Sequence, residues 1–68
     1  MKNIRQNDVG RLCLVRFDDI GRQEALIIEI NPEDKDLRIF SFATRSLQRV
    51  QYDMIVEIND YIIPNFSK

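Results

Sequence analysis

Apolar side chains recur at every second position in short runs, and turn-forming residues separate the runs. A strand places alternate side chains on opposite faces, whereas a helix repeats every 3.6 residues, so this pattern predicts β-structure. In residues 12–17, Cys13, Val15 and Phe17 share one parity while Leu12, Leu14 and Arg16 share the other. In residues 37–42, Leu37, Ile39 and Ser41 alternate with Arg38, Phe40 and Phe42. Residues 24–30 are less regular, because Ala25 and Ile27 fall on one parity and Ile28 and Ile30 on the other. A bulge near Ile28 or Glu29 brings Ala25, Ile27 and Ile30 to one core.

Further strands are expected over residues 47–52 and 56–58. A single helical turn at Asp53-Met54-Ile55 lies between them, with Asp53 as its cap. Asp18-Asp19-Ile20-Gly21, Asn31-Pro32-Glu33-Asp34-Lys35-Asp36 and Ala43-Thr44-Arg45-Ser46 supply the turns. Gly21 is able to take a positive φ, and Pro32 presets a turn φ. Five short strands with one tight helical turn before the last make an all-β chain, in the order of a small SH3-like barrel. The organisation expected is an N-terminal lead (1–8), a barrel (9–58) and an apolar C-terminal tail (59–68). That tail carries Tyr61, Ile62, Ile63 and Phe66, and is expected to pack on the barrel or on a partner subunit.

Composition narrows the chemistry. The 68 residues contain no His and one Cys, so no imidazole base and no Cys-rich zinc site is available. Ser41 and Ser46 have no His to activate them, there is no Gly-rich phosphate loop, and the acids lack EF-hand spacing. The chain is therefore expected to be non-enzymatic, without metal or cofactor. Cys13 lies in an apolar run and is expected in the core. The polar N-terminus has no signal-peptide core, and no apolar run approaches the roughly 20 residues of a membrane span. The expected setting is the cytoplasm, with no membrane partner.

Val9-Gly10-Arg11-Leu12-Cys13-Leu14-Val15-Arg16-Phe17 resembles the opening of a Tudor domain, with Val9, Gly10, Cys13, Val15 and Phe17 at the matching places. The resemblance continues through Ala25 and Ile27, the strand of Phe40, and Tyr52-Asp53-Met54-Ile55. It implies a Tudor-like barrel over residues 9–58, a spacing shared with Sm-like and KOW-type modules. Tudor domains hold methylated Lys or Arg in an aromatic cage. Phe17 and Phe40 match two cage positions, whereas Gln23-Glu24 and Ser41-Phe42-Ala43-Thr44 stand where other cage residues would be.

Three readings of function follow. The first is a protein-binding module contacting its partner through Phe17, Arg38, Phe40 and Phe42, since outward aromatics beside a guanidinium suit a protein hot spot. The second is single-stranded nucleic-acid binding through Arg38, Arg45, Arg49 and the same rings. The formal net charge of −1 gives that reading no global electrostatic support, although residues 37–51 hold three Arg and no acid. The third is a small phage- or host-encoded regulator acting through an acidic face, because residues 18–36 carry seven acids against two bases. The thin core of so short a chain also makes a homo-oligomer through the tail an expectation.

Overall fold

The computed structural model describes residues 4–62, with side chains through Asn59. Five antiparallel strands form one sheet: β1 (Arg11–Phe17), β2 (Gly21–Asn31), β3 (Asp36–Ser41), β4 (Ser46–Gln51) and β5 (Ile55–Ile62). Two 3-10 turns complete the fold, one at Gln6–Asp8 before β1 and one at Tyr52–Met54 before β5. The strand order is β4-β3-β2-β1-β5, so β4 and β5 are the two edges and the sheet is not closed. No helix among the described residues is long and apolar enough to cross a membrane.

The inward face follows the alternation. Cys13, Val15 and Phe17 of β1 meet Ala25, Ile27 and Ile30 of β2, Leu37 and Ile39 of β3, Val50 of β4 and Ile55 of β5. Val15, Ala25, Ile27 and Ile39 are completely buried. The register between β2 and β3 slips between Ile27 and Glu29, because Ile27 faces Ile39 while Glu29 faces Arg38. Ile28 is thus the extra residue of a bulge, which returns Ile30 to the core as its neighbours require.

Turn chemistry fixes the three hairpins. Gly21 has φ +75°, a conformation open to glycine at no steric cost. Between β3 and β4, the buried Ser41 hydroxyl accepts the Thr44 N–H, and Arg45 takes φ 56°. These turns set Phe17 opposite Gly21, Asn31 opposite Asp36 and Ser41 opposite Ser46.

Several boundaries differ from those expected. The lead is not separate from the domain: Ile4 is buried in the core, and the Gln6 side-chain amide donates to the Ile30 carbonyl at 3.0 Å. Strand β3 ends at Ser41, so Phe42 opens the turn rather than closing the strand. The 3-10 turn begins at Tyr52, one residue early, and no side chain caps it. Strand β5 continues past Ile58 to Ile62, whose backbone pairs with Arg11, so residues 59–62 of the supposed tail belong to the sheet. The remaining tail, with Ile63 and Phe66, lies outside the described residues.

Candidate functional site: the outer face of the sheet

The outward parity of each strand builds a second face. Register places Leu12 opposite Leu26, Leu26 opposite Phe40, and Phe40 opposite Leu47. Four strands therefore contribute one apolar residue each to a row perpendicular to their direction, about 14 Å from end to end at the usual strand spacing. Leu12, Leu26 and Phe40 are half-buried, while Leu47 is 54% exposed. Phe42 adjoins the row at 44% exposure, its ring edge-on to Phe40 with centroids 5.5 Å apart and planes at 76°. Edge-to-face packing matches the positive rim of one ring to the negative face of the other.

Charged residues bound the row on one side. Arg38 stands between Glu29 and Arg49 in register, and its guanidinium meets the Glu29 carboxylate at 3.3 Å. Arg49 lies 3.8 Å from the carboxylate of Asp36, a residue only 7% exposed. Two arginines directly opposite one another repel, and each here has an acid that offsets the repulsion. Arg45, in the β3–β4 turn, is not brought to this pair.

The expected contact set is thus divided. Phe40 and Phe42 come together as expected, with Arg38 two residues along the same face. Phe17 does not join them: it points inward with Cys13 and Val15 and is 9% exposed, a core residue by the same parity that was legible in the sequence. Of the arginine set, Arg38 and Arg49 are neighbours and Arg45 stands apart. The acidic stretch is not a single face either. Asp18 and Asp19 sit in the turn at one end of β2, Glu33 and Asp34 in the turn at the other, and Glu29 and Asp36 face arginines. Leu12, Leu26 and Leu47 were missed as surface residues, although turn lengths supply the register that lines them up with Phe40.

Among the described residues, no group of three or more His, Cys, Asp or Glu is placed to hold a metal ion. Cys13 is buried, and desolvation pushes its thiol pKa up to about 12. A thiol so protonated is a packing group, not a nucleophile. No protein-family pattern, no curated protein and no solved structure matches this chain.

Proposed function

We propose that this chain is a small non-catalytic protein-binding module of the cytoplasm, and that its contact surface is the outer row ending at Phe42 and Leu47. The observation that carries this reading is the continuous apolar row from Leu12 to Leu47, open to solvent at its Phe42 and Leu47 end. Leaving large apolar groups in water forgoes about 25 cal/mol for each Å² that burial would remove, so contiguous exposed groups of this kind mark contact surfaces. A ring already braced edge-on by its neighbour loses little side-chain entropy on binding, which suits Phe42 to act as an anchor.

We infer that the strand arrangement is that of an SH3-like, Tudor-like barrel left open between the edge strands β4 and β5. Its support is a long bulged β2 at the centre of the sheet, β1 flanked by β2 and β5, and a 3-10 turn leading into β5. The Tudor aromatic cage has less support than the barrel, because Phe17 is in the core and only Phe40 of the two matched rings reaches the outer face.

The test is capture from a lysate of the source cells, with and without nuclease, using the native chain and a Phe42→Ala/Leu47→Ala variant shown to be folded. A protein retained through nuclease treatment and lost in the variant is the expected result. A signal that disappears with nuclease would instead assign the face to single-stranded nucleic acid. Capture unaffected by the variant would remove the contact surface from this row.

A further inference from the structure

One row nearer the β1–β2 turn, Leu14 stands directly opposite Glu24 on β2 and Glu57 on β5. The two carboxylates therefore straddle a leucine, with about 10 Å between their α-carbons at normal strand spacing. Leu12, Leu14, Glu24, Glu57 and Asn59 line a depression of about 170 Å³ here. Both glutamates are exposed, and neither joins an ion pair among the described residues. The floor is aliphatic and the two walls are anionic, on the same face as the apolar row.

We infer that this depression seats an arginine side chain of the partner protein. The inference rests on the reading of the outer face as a protein-docking surface and specifies what docks beside the apolar row. An arginine stem of three methylenes lies along Leu12 and Leu14, and its planar fork of five donors reaches carboxylates on both sides. With α-carbons about 10 Å apart, flexible glutamate side chains have the reach to close on a guanidinium between them at ordinary charge-assisted hydrogen-bond length. Arg16 and Arg22 face each other one row further toward the turn, and neither is ion-paired to Glu24 or Glu57. They repel a cation arriving from that end, so the side chain enters from the Leu12 end, where the apolar row begins.

The probe is butylguanidinium, which reproduces the stem and head of arginine, followed by NMR on the full chain. Butylurea, its neutral counterpart of the same shape, is the control. The expected result is a saturable shift of the Leu12 and Leu14 methyls and of the Glu24 and Glu57 amides, with a dissociation constant on the order of 10 mM. Butylurea leaves these signals in place, and added salt weakens the shift. A Glu24→Gln/Glu57→Gln variant keeps its spectral dispersion and binds about tenfold more weakly. Equal shifts from butylurea, undiminished binding in the variant, or no shift at these four residues would each overturn the assignment. The Phe42 N–H donates to the Glu24 carbonyl, so the signals of Leu14 and Glu57, on the side away from Phe42, decide this test, and failure there leaves the apolar docking surface standing. Failure of that surface shows instead in the capture experiment.

Discussion

Phe40 and Phe42 meet edge to face with centroids 5.5 Å apart, yet they occupy different environments. Phe40 is half-buried in the row between Leu26 and Leu47, whereas Phe42, just past the end of β3, is 44% exposed. Substitution should therefore separate stability from binding. Phe42→Ala is expected to cost less than about 1 kcal/mol, chiefly the edge-to-face contact, while abolishing partner capture. Phe40→Ala is expected to cost about 1–2 kcal/mol. Urea denaturation of both single variants and of the double variant checks this, since the cycle isolates the ring–ring coupling. A Phe42→Ala cost as large as that of Phe40→Ala would make Phe42 a structural residue.

Backbone conformation gives an opposed pair of expectations. Gly21 has φ +75° with nothing within 4 Å of where a Cβ would stand, so Gly21→Ala meets no clash. It should still lose about 1 kcal/mol through left-handed strain alone. Arg45 has φ 56° and already bears that strain, so Arg45→Gly should be neutral or stabilising by up to about 1 kcal/mol. Thermal midpoints are the measurement: that of Gly21→Ala should fall, and that of Arg45→Gly should hold or rise.

The Tyr52 hydroxyl is buried without a hydrogen-bond partner among the described residues, while its ring packs against the core. Tyr52→Phe removes an unsatisfied polar atom and keeps the packing. Stability should be unchanged or rise by up to about 1 kcal/mol. A loss of stability in chemical denaturation would reveal a partner for that hydroxyl.

Cys13 links folding to alkaline pH. Burial pushes its thiol from 9.0 up to about 12, so the folded chain holds this proton more tightly than the unfolded chain does. That contribution to stability is fully present below pH 9 and is lost progressively as pH rises toward about 12. Cys13→Ala should flatten the fall in stability across this window, as read from urea midpoints at a series of pH values. At neutral pH the native thiol should react with a disulfide reagent far more slowly than in urea, because attack requires opening of β1.

Much of the fold was legible because a half-buried strand writes its two faces directly into sequence parity. Cys13, Val15 and Ile39 needed nothing more, and the parity break at Ile28 located the bulge. The site was less legible for a related reason. Parity says that Phe17 and Phe40 each lie on one face of a strand, but not which face is covered. Phe17 resembled a surface aromatic only through a family pattern, whereas its neighbours Cys13 and Val15 already placed it inside. Leu12, Leu26 and Leu47 look unremarkable one at a time, since their proximity to Phe40 depends on three hairpin registers together. The extension of β5 to Ile62 was hidden because Asn59 and Asp60 interrupt the apolar pattern. Pairing with β1 stops at Ile58 opposite Cys13 and resumes beyond them at Ile62 opposite Arg11, after a register shift.

The row of Leu12, Leu26, Phe40 and Leu47 is a conformational epitope drawn from residues 35 positions apart in the chain. A slip of one residue in any of its three hairpins would send a member of the row to the opposite face. A ligand on this row thus discriminates the native pairing from every shifted one, and its binding free energy adds directly to the stability of the whole sheet. At a hundredfold excess over its dissociation constant, that addition is about 2.7 kcal/mol, a sizeable share of what a domain this small possesses. Occupancy of the outer face and integrity of the inner core are in this way thermodynamically coupled through strand register.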